Sequence, residues 1–366
     1  VSSHRLRSGR GTTENPRNRF DRIHLVREAG EGEETDTQYL SDASRSIIAH
    51  NDSPDIGFDS SINPYRGCEH GCIYCYARPT HEYLGYSSGL EFETRILVKE
   101  RAPELLRAEL SSPRWHPRTL ALSGVTDPYQ PVEKKLRLTR ACLKVLVEFL
   151  NPVSLVTKNH LVTRDLELLK PLAEAQALAV SLSITTLNGR LQRALEPRTS
   201  SPVRRLKAIE TLAKNEIPVT VIVAPVIPGL TEHEVPGILK SARSAGATFA
   251  RYQLLRLPRS VKDLFDDWLE KHIPERKKRV LARIRDTRDG DLNDSRFYRR
   301  MSGKGKYAAQ IKDLFNTSAR RCGLQKATES LSTASFKRKT ATGQLTLFEG
   351  RTGEHEHEHE HEHERR

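Results

Sequence analysis

From about residue 94 the chain alternates between short runs rich in β-branched residues and longer segments whose apolar residues return every three or four positions. This alternation constrains the fold more than any other feature. Six runs have strand character: ETRILVK, TLALSGV, VSLVTK, ALAVSLSITT, PVTVIVAPVIPG and FARYQLL. The segments between them, such as KLRLTRACLKVLVEFL and SPVRRLKAIETLAKN, each carry one apolar helical face. Six strands with five intervening helices make repeated βα units, which give a parallel sheet, either doubly wound or curled towards a barrel. The expected class is therefore α/β. In both architectures ligands gather at the C-terminal ends of the strands. Polar loops fall there: SGVTDPYQP after the second run, TKNH after the third, TTLNGR after the fourth and PVIPGLTEHE after the fifth. Ordinary helix caps account for some of them, Thr231 with Glu234 as a capping box for example.

A chain of 366 residues accommodates one large domain with extensions or two ordinary ones. Its 36% apolar and 29% charged content is polar for a compact enzyme, so part of the length is expected to be solvated arm or tail. The pattern divides into an N-terminal arm over 1–52, partly disordered, a barrel domain over 53–258, a basic helical extension over 259–325, and a flexible tail over 326–366. The tail ends in EHEHEHEHEHERR, which reads as a tag scar or a natural disordered segment and is excluded from the fold. The longest apolar stretch, around VTVIVAPVI, is too short to span a bilayer, and the expectation is a cytoplasmic protein without a membrane partner.

Charge is unevenly spread. Residues 61–353 carry 50 Lys and Arg against 30 Asp and Glu, and within them residues 271–340 carry 20 against 7. A polyanion is the natural partner of such a surface, because neutralising phosphates releases counterions. The alternative is a solvated basic helical face.

Three of the five cysteines, Cys68, Cys72 and Cys75, lie within SINPYRGCEHGCIYCYARPTHEYLGYS, residues 61–87. Thiolates crowded on one loop suit soft metals and iron–sulfur clusters. A structural zinc site would need a fourth protein ligand. His70, His81, Cys142 and Cys322 are the available residues, and none stands in a paired spacing.

Cys-x3-Cys-x2-Cys with the aromatic Tyr74 before the last cysteine resembles the signature of the radical S-adenosylmethionine (SAM) enzymes. The resemblance implies a partial (β/α)6 TIM-like barrel and a [4Fe-4S] cluster whose three irons are held by Cys68, Cys72 and Cys75. It also implies that the fourth iron takes S-adenosyl-L-methionine, and that an electron donor such as a flavodoxin or ferredoxin reduces the cluster. Reductive cleavage of the sulfonium then gives a 5'-deoxyadenosyl radical that abstracts hydrogen. SPDIGFDSSINPYRGCEHGCIYCYARPTHEY, TDPYQPVE and LEPRTSSPVRRLKAIETL are similar, more narrowly, to the bacterial subfamily grouped with spore photoproduct lyase, over about residues 53–325. That similarity implies that Thr126, Asp127 and Lys158 contact S-adenosylmethionine, that Ser183 lies near its ribose, and that Pro225 to Gly229 flank its adenine. One departure stands out. Where that lyase has a hydrogen-donating cysteine, this chain has Val125, which puts thymine-dimer reversal by that route in doubt. Tyr129 and Cys322 are alternative donors, and Cys142 is expected to pack in a helix core.

In the tail, GQLTLFEG places Gln344, Leu345, Leu347 and Phe348 in polar surroundings. One reading is a strand that docks on its own domain. The other is a resemblance to the short peptide by which bacterial repair proteins bind the DNA sliding clamp, with Gln344 supplying directional hydrogen bonds and the apolar side chains filling a groove. Taken together these features imply a radical SAM enzyme acting on DNA, in repair or modification. The same chemistry on RNA, a peptide or a small molecule is the second reading. A non-catalytic iron–sulfur adaptor bound to the clamp is the third.

Overall fold

A computed structural model describes residues 9–20, 36–326 and 331–338. Gln344 to Phe348 and the His/Glu tract lie outside the described residues.

Two sheets form. The larger has the order β11-β10-β9-β8-β7-β6-β3-β2, and comprises β2 (Ile48–His50), β3 (Ser60–Ile62), β6 (Leu120–Leu122), β7 (Val153–Thr157), β8 (Leu178–Ile184), β9 (Val219–Val226), β10 (Phe249–Leu254) and β11 (Gln325–Lys326). All neighbours from β3 to β11 pair in parallel, and β2 runs antiparallel at the edge. The smaller sheet, β1-β5-β4, joins β1 (Gln38–Ser41), β5 (Arg95–Val98) and β4 (Tyr65–Arg66). Helices follow β6 to β10 in turn, and those after β6 to β9 lay their apolar stripes on the larger sheet. In Leu138–Phe149, for instance, Cys142, Leu143, Val145, Leu146 and Phe149 are all buried, as a 3.6-residue period requires. The result is a mixed α/β fold with six βα-type parallel strands, β3 and β6 to β10, curled as a partial TIM-like barrel. Among the described residues the edge strands β2 and β11 do not pair, so the barrel is open.

One expected strand belongs elsewhere. ETRILVK forms β5, which pairs with β1 and β4 outside the barrel, and the first barrel strand is instead β3, three residues in SSI. Alternation identifies a strand but not its sheet, and three buried residues are too few to show a period.

The extensions are built onto this frame. In the arm, Gly11 N–H donates to Glu93 Oε2 at 3.0 Å beside the cysteine loop. In the C-terminal extension, helices Val261–His272 and Pro274–Asp286 bury Phe265, Trp268, Val280 and Ile284 against Cys72, Ile73 and Tyr74. Within the span expected to be a flexible tail, residues 331–338 lie on the barrel surface. There Phe336 packs on Phe149, Lys337 N–H donates to Phe149 O at 2.8 Å, and Arg338 donates to Trp115 O at 2.9 Å.

Candidate active site

The cysteine loop leaves the C-terminal end of β3 and crosses the mouth of the barrel. Three turns shape it: Gly71 N–H donates to Cys68 O, Cys75 N–H to Cys72 O, and Arg78 N–H to Cys75 O. Gly71 has φ +66°, and a Cβ there would meet Glu93 Oε2 at 2.7 Å, so only glycine lets the loop pass that carboxylate. Arg78, fully buried, ties the loop from behind by donating to Cys72 O and pairing with Glu93 at 2.6 Å. Cys68 packs with Ala77 and Phe92, with Cys75 and Val125 against them. Cys72 and Tyr74 belong to the neighbouring apolar cluster.

This apolar setting acts on the thiols. Burial, reinforced by the Glu196 carboxylate, raises Cys72 well above its usual pKa, and burial pushes Cys75 up to about 11. Deprotonation therefore needs a compensating positive charge, which a metal centre supplies. Among the described residues no three His, Cys, Asp or Glu side chains are close enough to share one metal ion. The donor set and its soft, dry surroundings fit an iron–sulfur cluster.

Below the loop lies a buried polar network. Lys158, at the end of β7, donates from Nζ to Ser183 Oγ (2.9 Å), Thr185 Oγ1 (3.1 Å) and Ala224 O (2.9 Å), and lies 3.0 Å from Glu196 Oε1. Ser183 and Thr185 alternate along β8 and its end, so both face Lys158. The Tyr74 hydroxyl donates to Glu196 Oε1 and lies 3.1 Å from Thr185 Oγ1, and the Lys158 ammonium sits 5.7 Å from the Tyr74 ring centroid. Arg205 pairs with Glu196 Oε2 and donates to Ser183 O at 2.9 Å. Burial alone would raise the pKa of Glu196, but Arg205 and Lys158 more than reverse this and hold it well below the carboxylate range. A carboxylate arriving at Lys158 would displace Glu196 or a hydroxyl.

Asp127 organises the loop. Its Oδ1 accepts from Thr157 Oγ1 (2.7 Å) and Tyr129 N–H (2.8 Å), while Oδ2 accepts from Lys158 N–H (2.8 Å) and lies 3.3 Å from His70 Nδ1. Burial would lower the His70 pKa, but Asp127 and Cys68 raise it. Thr126 donates to Gly67 O at 2.8 Å. In this structure, then, Thr126 and Asp127 anchor the cysteine segment to the ends of β6 and β7.

The remaining expected residues scatter. Pro225 follows Ala224, whose carbonyl completes the lysine network. Gly229 turns away: with φ +80°, its Cβ position would lie 3.2 Å from Val280 Cα and Arg283 Cγ of the C-terminal extension. Tyr129 is fully buried and donates to Asp165 at 3.0 Å, in the helix layer. Cys142 lies in the core of its helix as expected. Cys322 precedes β11, whose Gln325 registers with Phe249 at the start of β10, so it sits at the opposite end of the barrel from the thiols. His81 packs between Tyr86 and Phe92, and burial pushes it down to about 4. Glu196, Arg205 and Thr185 were not singled out from sequence. Their signal was Arg205 itself, which falls in register with Ala208, Ile209 and Leu212 on the apolar stripe of its helix.

An open parallel barrel with a three-cysteine loop at its C-terminal mouth defines a class, and comparison with known proteins agrees. Residues 62–242 match the model of the radical SAM superfamily. The chain is 37% identical over 222 residues to an uncharacterized protein of Mycobacterium tuberculosis, covering 60% of this chain and 65% of that one. It is 31% identical over 214 residues to an uncharacterized protein of Methanocaldococcus jannaschii, covering 58% of this chain and 76% of that one. The match thus spans less than two thirds of the mycobacterial relative. Spore photoproduct lyase complexed with dinucleoside spore photoproduct has a similar fold, with a TM-score of 0.58 at 17% identity over 82% of this chain and 87% of the lyase. The chain belongs to the radical SAM superfamily, with a fold related to that of spore photoproduct lyase. Membership implies a [4Fe-4S] cluster and S-adenosylmethionine as cofactors. No helix among the described residues is long and apolar enough to cross a membrane.

Proposed function

We propose that this protein is a radical SAM enzyme acting on DNA, with Cys68, Cys72 and Cys75 each holding one iron of the cluster. The observation that carries the reading is the cysteine loop itself, with Cys68 and Cys72 buried and Cys75 half-buried, whose Tyr74 joins the Lys158, Thr185 and Glu196 network at the strand ends. When bound, the cluster and S-adenosylmethionine supply reductive sulfonium cleavage and hydrogen abstraction. The chain contributes position and dryness. Asp127 and His70 fix the loop, Arg78 and Glu93 hold it from behind, and the Val261–His272 and Pro274–Asp286 helices exclude water from Cys72 and Tyr74. Lys158 and Ser183 offer a cation and a hydroxyl to the cosubstrate's carboxylate and ribose. Thr126, Asp127 and the Pro225 to Gly229 segment support that pocket, Thr126 and Asp127 by ordering the loop and the segment by closing the end of β9.

The 50 to 30 basic excess over residues 61–353 supports a polyanionic substrate, and the fold shared with a lyase bound to a dinucleoside photoproduct supports DNA. The test is anaerobic reconstitution, followed by mass spectrometry of 5'-deoxyadenosine with pools of DNA, RNA and peptide. DNA-dependent turnover or deuterium transfer into DNA is expected. Stimulation by RNA or peptide and not by DNA would overturn the substrate assignment, and a bound cluster without any cleavage would favour the adaptor reading.

A further inference from the structure

On the outer side of the cysteine loop is a cavity of about 370 Å³, at the lower end of the usual ligand-pocket range of about 300–1,000 Å³. Its walls come from the loop after β7, the helix Gly189–Leu195, the turn from Pro197 to Ser201 and the first turn of the helix Pro202–Lys214. Lys134, Arg193, Arg198 and Arg204 line it, and no carboxylate does. Arg198 reaches Glu69 at 3.3 Å behind the wall. Among the described residues Lys134, Arg193 and Arg204 have no carboxylate within ion-pair distance.

The other basic surface near the barrel mouth is different. There Arg296, Arg299 and Lys304 converge on Asp289, and Arg300 on Asp55, so these cations already have carboxylate partners. Cations gathered around a concavity without acids repel one another until an anion arrives. His160, in the same wall, registers that field: burial and then Arg204 and Lys207 lower its pKa.

The cavity is coupled to the active site through its wall. Arg198 N–H donates to His70 O at 3.3 Å, Ser200 N–H donates to Lys158 O at 3.3 Å, and the Asn159 amide lies 3.3 Å from His70 Nε2. A group held here is therefore one loop's thickness from the thiols.

We infer that this cavity is a phosphate-binding site that holds a backbone phosphate of the nucleic acid, using Arg193, Arg204 and Lys134 as its cations. The choice of nucleic acid rests on the proposed function, and the phosphate chemistry rests on the cavity itself. The site sets where the strand crosses the barrel mouth, and so which nucleotide is presented to the cluster.

The test uses the full chain, with Arg193→Ala/Arg204→Ala compared with the charge-matched Lys170→Ala/Lys240→Ala, whose lysines are exposed on helices that do not line the cavity. Arg193 and Arg204 are exposed too, and unchanged melting of both variants establishes folding. Binding of a labelled single-stranded oligonucleotide is measured by anisotropy over a salt series, with inorganic phosphate and a mononucleotide as competitors. The pocket variant is expected to bind about tenfold more weakly, with the salt slope reduced by about 1 to 2, while the control changes less than about twofold. Arg204→Lys in place of Arg204→Ala should restore part of the loss. Equal weakening of pocket variant and control would overturn the site. If the parent binds no oligonucleotide but binds phosphate or the mononucleotide, and the pocket variant loses that binding, the site stands and the DNA reading falls. Phosphate binding that survives in the pocket variant overturns the site.

Discussion

Glu196 is the residue on which the buried network turns, and Glu196→Gln measures its weight. The carboxylate is fully buried and sits between Arg205, 1% exposed, and the Lys158 ammonium, while also accepting from Tyr74 and Thr185. The amide keeps an acceptor but removes the charge. Arg205 still donates to Ser183 O and Ser200 O, so what is lost is compensation of a buried guanidinium rather than its hydrogen bonds. Breaking a buried ion pair from one side costs about 3–5 kcal/mol. For a domain of this size about 3 kcal/mol corresponds to a fall in melting temperature of roughly 6 °C or more. The sign of the pH dependence follows from a depressed pKa in the folded chain. The charged form's contribution is present in full above the unfolded-state value of about 4.3 and is lost as pH falls towards the folded value. Urea titrations of parent and variant should therefore differ by a nearly constant amount from pH 5 to 8 and begin to converge only below about pH 4, continuing as pH falls further. Because Arg205 and Glu196 act as a pair, Glu196→Gln/Arg205→Gln should cost less than the two single changes summed. A single-variant loss below about 1 kcal/mol at pH 7 would refute the reasoning.

Gly229→Ala introduces a Cβ at φ +80° with the Val280 backbone 3.2 Å away, and a cost of about 1–2 kcal/mol is expected from denaturation, against no change in a site that tolerates side chains. Val125→Cys places a thiol beside Cys68, Ala77 and Phe92. With dinucleoside spore photoproduct, the parent is expected to form 5'-deoxyadenosine without accumulating repaired dinucleoside, and the variant to accumulate it; repair by the parent would contradict the reading of Val125. Pull-down with the DNA sliding clamp should recover the intact chain and lose Leu347→Ala/Phe348→Ala, and equal recovery would remove the clamp as a partner.

Much of the barrel was legible in the sequence because β6 to β10 are rich in buried apolar residues and separated by helices with clear periodicity. The first strand was not, because Ser60–Ile62 is short and polar at two of three positions. In its place stood β5, a true strand whose partners, β1 and the two-residue β4, cannot be read from its own pattern. The site divides in the same way. Cys68, Cys72 and Cys75 were marked by their spacing, and Lys158 and Ser183 by the resemblance, and the structure brings Lys158 and Ser183 together beneath Tyr74. Glu196 and Arg205 were passed over because charged residues ordinarily face water; the place of Arg205 on an apolar stripe was the one hint, and the structure shows it buried and paired with Glu196. Asp127 shows the limit of position alone. Its place after β6 and the resemblance marked it as a site residue, but its four partners are all within the chain, and three of them, Thr157, Lys158 and His70, belong to the end of β7 and the cysteine loop.

The central claim is that the three thiols together hold the cluster that cleaves S-adenosylmethionine. The direct measurement is 5'-deoxyadenosine formed under dithionite by anaerobically reconstituted protein, comparing the parent with Cys68→Ala, Cys72→Ala and Cys75→Ala, and with Cys142→Ala as a control in the helix core. The parent and Cys142→Ala should produce it, and each of the three loop variants should lose both the product and the bound iron and sulfide. Product formation at the parent's level by any loop variant would contradict the account.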